Sequence, residues 1–301
     1  MRIEPIPEVV AFEVELAGVE GRAETYACGV SVCDNAYCHC SEVTLDMTPA
    51  NDAARSRWKG RDRVQVILDP FERVHAEDGD DPPRDPLVMK LGRRVATHLK
   101  EEQWRRLASS FLAAKRRAIE ELDPAEEQYP FEFEAIERGG ELIAFQEIFP
   151  YADPILLTHK GRKYLFDDQH CVREECSCTD VLVTVHPVTG DDSAGKEVTA
   201  LRWRDSSQWV DASSGKPAAG FAAELGRALE ATRADVLESI LPKRRTLLRK
   251  VYAESKAYFE SPHDPAGDSP DDATARAGNE TPRNAPCPCG SGKKFKRCCG
   301  G

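Results

Sequence analysis

CDNAYCHCSEVTLD at residues 33–46 and CVREECSCTDVLVT at residues 171–184 follow one pattern: Cys-x4-Cys-x-Cys, then Ser or Thr, Glu or Asp, and Val. The cysteines are Cys33, Cys38 and Cys40 in the first stretch and Cys171, Cys176 and Cys178 in the second. Each trio leads into alternating apolar residues, Val43 and Leu45 or Val181, Val183 and Val185, which is the period of a half-buried strand. A polar turn and a second strand candidate follow, Val64 to Leu68 or Val198 to Trp203. Next come residues at three-to-four spacing, the mark of amphipathic helices. In the first half these are Leu91, Val95, Leu99, Trp104, Leu107, Phe111 and Ile119. In the second they are Phe221, Leu225, Leu229, Val236, Ile240, Leu248, Val251 and Tyr258. One order of features occurring twice predicts an α+β chain of two related lobes, each with a cysteine knuckle, antiparallel strands and helices. The lobes are expected over 1–124 and 125–260. Further strands are expected at Phe12–Leu16 and Glu141–Phe149, with a hairpin over Ile155–Leu165 turning at Lys160-Gly161.

Residues 261–284, SPHDPAGDSPDDATARAGNETPRN, hold Pro, Gly, Asp and Ala but no large apolar residue, so they read as a disordered acidic linker. It sets apart RNAPCPCGSGKKFKRCCGG at 283–301, which carries five bases and no acid in a chain of formal net charge −11. That acidity disfavours a general nucleic-acid binder, although direct contact with nucleic acid through the basic tip stays open. The N-terminus lacks a basic region followed by an apolar block, and no apolar run approaches the length of a membrane span. A cytoplasmic protein with no membrane span is expected. Thiols stay reduced there, so the 11 cysteines of this 301-residue chain point to metal before disulfides.

In the tail, Cys287, Cys289, Cys298 and Cys299 supply four soft ligands, the number a closed tetrahedral zinc site takes. Pro288 stiffens the backbone between the first two, Gly290-Ser291-Gly292 permits a reversal, and Lys293 to Arg297 bridge back. So short a segment cannot bury a core and should fold only around its metal. The tail closely resembles the SEC-C motif, the zinc-binding end of the SecA translocase motor. The resemblance covers about residues 283–301; the rest of the chain resembles no family recognised from its sequence. It implies zinc on the four cysteines and docking to a protein partner, a SecB-like chaperone or the ribosome, with Lys293, Lys294, Phe295, Lys296 and Arg297 as the contact residues. SecA itself commonly has His where Cys299 stands, which leaves zinc in place and the partner open.

Each body trio needs a fourth ligand to close a zinc site. Cys28 completes four cysteines in the first lobe, with His39 pointing away. Phe166 occupies the matching place in the second, so His170, His159 or a residue from elsewhere is the candidate there. Buried free cysteine and redox sensing are the competing readings. The basic runs Lys115-Arg116-Arg117 and Lys243-Arg244-Arg245 are expected on solvated helix faces, and Trp203 and Trp209 in the core rather than on a ligand. The strings H-E-x-x-H, G-x-S-x-G and G-x-G-x-x-G are absent, so no catalytic residue is singled out. The leading reading is a zinc-binding adaptor docked through its tail. An enzyme recruited by the tail and a nucleic-acid or ribosome binder are the alternatives.

Overall fold

A computed structural model describes residues 12–17, 22–76, 85–188, 199–204 and 208–261. The expected linker and the tail with its four cysteines lie outside them. The chain divides between Glu121 and Leu122 into two units, each an α+β arrangement of one antiparallel sheet and helices.

The first unit is a meander of five strands in sequence order, β1 (Phe12–Leu16), β2 (Glu24–Val32), β3 (Val43–Pro49), β4 (Val64–Asp69) and β5 (Val74–His75). Val43, Leu45 and Met47 of β3 and Val64, Val66 and Leu68 of β4 alternate inward and are buried. Between β3 and β4, where only a polar turn was expected, stands the short helix α1 (Asp52–Trp58). It starts because the Asn51 side chain accepts the Ala54 amide, and it stops where Lys59 and Gly60 both take positive φ. Two helices follow, α2 (Pro86–His98) and α3 (Glu101–Glu120), burying Leu91 and Val95, and Trp104, Leu107 and Phe111.

In the second unit a π-helical turn (Ala135–Gly139) comes first, then β6 (Ile143–Ala144) and the single turn α4 (Phe145–Ile148). The strand expected over Glu141–Phe149 is therefore only two residues long. Phe145, Ile148 and Phe149 are all buried at i, i+3 and i+4, a helical spacing that a strand cannot satisfy. The strands β7 (Ile155–His159), β8 (Arg162–His170), β9 (Val181–Pro187), β10 (Thr199–Arg204) and β11 (Gln208–Asp211) then pair in turn, with β6 also on β8. The β7–β8 hairpin turns at Lys160 and Gly161, φ 49° and 75°, as a type I′ turn requires. Next come α5 (Gly220–Thr232) and α6 (Leu241–Glu260). Trp209 lies in the core with Leu201, Leu225, Leu229 and Val236, and its ring meets Trp203 at 4.8 Å across β10 and β11.

From β7 onward the element order is that of the first unit, apart from α1 and a π-helical turn (Val236–Ile240) that leads into α6. The strands flanking the cysteines pair identically: Val32 opposes Val43, and His170 opposes Val181. The first long helix of each unit closes on its sheet through a glycine. A Cβ on Gly92 would stand 1.9 Å from the His75 ring, and one on Gly226 would stand 2.7 Å from Trp209.

Among the described residues, each unit also buries one carboxylate. Glu24, at the start of β2, receives Arg57 at 2.7 Å and Arg94 at 3.0 Å, and accepts the Tyr26 hydroxyl. Burial alone would raise its carboxyl, but the two arginines outweigh that and hold it below its usual value.

Two outcomes follow. Gly92→Ala would gain about 1 kcal/mol of helix propensity on an exposed face. Here it should lower the urea midpoint, because overpacking costs about 1–3 kcal/mol. Glu24→Gln should destabilise at neutral pH. A lowered folded-state carboxyl contributes stability above its unfolded value and loses it as pH falls, so the variant's deficit in urea titrations should shrink below about pH 4.

Candidate metal centres

The strand pairing fixes where each cysteine loop begins and ends. β2 and β3 close at Val32 and Val43, so residues 33–42 must bridge a gap of about 5 Å between paired strands, and residues 171–180 do the same between β8 and β9. A chain this confined folds back on itself. The Cys38 amide donates to the Asn35 carbonyl at 3.3 Å, and the Cys176 amide donates to that of Arg173 at 3.2 Å, the same turn at the same step of each loop. In the first loop Asn35 also accepts the Tyr37 amide through its side chain, and the Cys40 amide points at Cys38 Sγ from 3.4 Å.

The outcome is two sulfur clusters. The thiols of Cys33, Cys38 and Cys40 all lie within 4.8 Å of one another, as do those of Cys171, Cys176 and Cys178. A tetrahedral zinc with sulfurs at about 2.3 Å sets its ligands about 3.8 Å apart, so either group can take such an ion with small side-chain rotations. The seven described cysteines are free thiols, and His39 is exposed as expected.

The groups differ in exposure. Cys38 and Cys40 are buried and Cys33 half-buried, whereas only Cys171 is buried in the second group. In each, one thiol ionises first because its neighbours hydrogen-bond to it. Cys38 and Cys40 hold Cys33 low, and Cys40 is correspondingly pushed up by Cys33. Cys176 is brought down to about 7 by the Cys178 backbone and thiol, with help from Cys171. Metals bind the thiolate, so shared-proton clusters of this kind are predisposed to exchange protons for a cation.

The expected fourth ligands are not at these groups. Cys28 lies in the middle of β2, opposite Phe12 and Met47, five residues from Cys33 and so about 16 Å along the strand. Its thiol is 1% exposed, leans on the Tyr26 carbonyl and is pushed up to about 12 by burial. It is a core residue, and so is Phe166 at the matching place in β8, also 1% exposed. His159 is the last residue of β7, opposite Arg162 at the end of β8 far from the cysteines. His170 is fully buried, but its Nε2 meets Asp168 Oδ2 at 2.7 Å instead of the sulfurs. Among the described residues, no other His, Cys, Asp or Glu joins either trio.

What each trio does have is a cation from the last helix of its unit. Lys115 of α3 is 1% exposed, and its Nζ donates to the Asn35 carbonyl at 2.9 Å, 4.0 Å from Cys40 Sγ. Arg249 of α6 donates to the carbonyls of Cys171, Cys176 and Cys178 at 3.1, 2.7 and 3.2 Å. Arg244, five residues earlier in the same helix, is buried against Asp168, also reaches the Asp153 carbonyl and stacks 4.4 Å from the Phe145 ring. The basic runs thus do not lie wholly on solvated faces. A signal was present, since Lys115 continues the stripe of Trp104, Leu107 and Phe111, and Arg244 precedes Leu248 by four.

Residues 283–301 match the SEC-C motif. SecA proteins are among the relatives that share sequence with this chain. Protein translocase subunit SecA of Porphyromonas gingivalis is 38% identical over 74 residues, 25% of this chain and 7% of that protein. Those of Campylobacter curvus and Dehalococcoides mccartyi are 63% identical over 30 residues and 64% over 28, which is 10% and 9% of this chain and 4% and 3% of theirs. The chain thus spans less than a tenth of the length of these relatives. No solved structure matches it. No helix among the described residues is long and apolar enough to cross a membrane.

The buried Arg244–Asp168–His170 chain makes the second centre's support testable. Arg244→Met leaves Asp168 buried without its arginine and should cost about 3–5 kcal/mol in urea unfolding followed by tryptophan fluorescence. Arg245→Met, which removes one bond to the Thr179 carbonyl, should cost about 1 kcal/mol.

Proposed function

We propose that this chain is a zinc-binding adaptor of the cytoplasm, with a body of two internally duplicated lobes and a tail that docks to a protein partner. The observation that carries the reading is the SEC-C match over 283–301, whose four cysteines have the number and softness of a closed zinc site. The acidic segment 261–284 tethers it to the body. With Zn²⁺ on Cys287, Cys289, Cys298 and Cys299 the centre carries two negative charges, so the bases Lys293, Lys294, Lys296 and Arg297 leave a basic surface around Phe295. That surface suits an acidic partner, a SecB-like chaperone or the ribosome.

The lobes, 1–124 and 125–260, hold one zinc each on Cys33, Cys38 and Cys40 and on Cys171, Cys176 and Cys178. Three features support duplication: the equal strand register around the loops, the repeated amide-to-carbonyl turn, and the glycine at the seventh position of both α2 and α5. The ions are structural, since the loops that carry them are short and bound at both ends to the sheet.

Native mass spectrometry of the full chain should find three zinc ions. The variant with Cys287, Cys289, Cys298 and Cys299 all changed to Ser should keep two. One ion falling to none would leave the tail site and remove the lobe sites. The intact chain, but not that variant, should sediment with ribosomes or bind an acidic chaperone of the SecB kind, and loss of both bindings from the intact chain would defeat the adaptor role.

A further inference from the structure

The two cysteine loops share one turn but not one composition. Between its first two cysteines the first loop carries Ala36 and Tyr37, which are 2% and 6% exposed. Glu174 and Glu175 take the same two places in the second loop, and both are exposed. A carboxylate is costly to bury unpaired, so this stretch stays in water where the first loop turns inward. The sulfurs follow their backbone. Cys38 and Cys40 are buried, whereas the matching pair, Cys176 and Cys178, is only half-buried on either side of the exposed Ser177.

Close approach is the second ingredient. The Cys176 thiol donates to Cys178 Sγ at 3.1 Å, and neither sulfur is in a disulfide. A disulfide bond is about 2.05 Å long, so the two sulfurs need to close by only about 1 Å to bond. The third thiol, Cys171, is buried. Arg249 holds the carbonyls of all three cysteines, which fixes the loop backbone while the two outer side chains move. A thiol that water reaches, with a second thiol beside it, is the kind that oxidants attack first and that recovers afterwards.

We propose that Cys176 and Cys178 form a reversible oxidation site for hydrogen peroxide, opened by Glu174 and Glu175, while the buried first trio stays reduced. One sulfur of the pair, as thiolate, attacks the peroxide, breaks its O–O bond and becomes a sulfenic acid; the hydroxide released takes up the proton that this thiol gave. The second thiol then attacks the sulfenic sulfur, the S–S bond forms, and the sulfenic oxygen leaves as water with the second thiol's proton. Two thiols and one peroxide thus give one disulfide and two waters, with two electrons passing from sulfur to oxygen. A small thiol reductant reverses the step by exchange. The site acts without a metal. Where this trio holds zinc as proposed above, the same bond takes two of its three thiolates and would release the ion.

The test uses the full-length chain stripped of metal by a chelator, so its result is independent of the zinc reading. After a limited dose of hydrogen peroxide the remaining thiols are alkylated, and tryptic peptides are mapped by mass spectrometry. Trypsin cuts after Arg173 and Lys196, so Cys176 and Cys178 share the peptide 174–196 while Cys171 falls in another. The expected product is that peptide unalkylated and lighter by two hydrogen atoms. It should form at least about tenfold faster than Cys33, Cys38 and Cys40 lose their thiols, and dithiothreitol should return it to the dithiol. The double change Glu174→Ala, Glu175→Tyr, which gives this loop the residues of the first, should slow its formation by a similar factor. A disulfide joining 174–196 to the peptide of Cys171, oxidation of the first trio at an equal rate, or passage of the pair to sulfinic acid would each overturn the inference. A double variant that keeps the wild-type circular dichroism and still oxidises as fast would overturn it as well.

Discussion

The pairing of the two strands on either side of each cysteine loop is the constraint from which the rest of the body follows. Val32 against Val43, and His170 against Val181, set loops of equal span between strands that are locked together. Inside such a loop the chain has few ways to return, and the amide-to-carbonyl turn at Asn35 or Arg173 takes one of them. Three sulfurs then converge because the backbone has brought them there. The last helix of each unit lies where a long cationic side chain can reach the loop, Lys115 in one case and Arg249 in the other.

Buried charge is handled in the same style throughout. Glu24 is gripped by Arg57 from α1 and Arg94 from α2, and Asp168 by Arg244 from α6 and by His170 in its own strand. In each unit the carboxylate belongs to the strand that leads into the cysteines, so the strand is tied to its helices before the loop begins. Such networks orient elements at little net gain in stability, and removing one partner costs far more than the pair contributes.

Much of this was legible before the structure. The trios, the alternation after them, the hairpin at Lys160-Gly161 and the helical spacing of the apolar residues have direct physical signals, and the elements stand where those signals are. The candidate fourth ligands stand away from the trios for different reasons: the four strand residues that separate Cys28 from Cys33 are extended, His170 turns its Nε2 to Asp168, and His159 lies at the far end of the β7–β8 hairpin. Cys28 and Phe166 are two answers to one requirement, an apolar side chain that fills the centre of the sheet. The second trio therefore lacks nothing that the first one has. Lys115 and Arg244 were placed on solvated faces because charge usually lies there, although their spacing with Trp104, Leu107 and Phe111, or with Leu248, put them on the inner stripe. The segment after Ala144 read as a strand on apolar content alone, where the spacing of Phe145, Ile148 and Phe149 decides for a helical turn.

The short reach of the two knuckles separates them thermodynamically from the tail. The thiols of Cys33 to Cys40 and of Cys171 to Cys178 enclose only a few residues already bounded by paired strands, so an ion held there would remove little chain entropy from the unfolded state. The sheets and helices around them bury cores of their own. On the proposed reading, metal in the lobes would sharpen local loops on a body with cores of its own, while metal in the tail would decide between coil and fold. On that reading, one change in available zinc would leave the lobes standing and switch the tail's docking surface on or off.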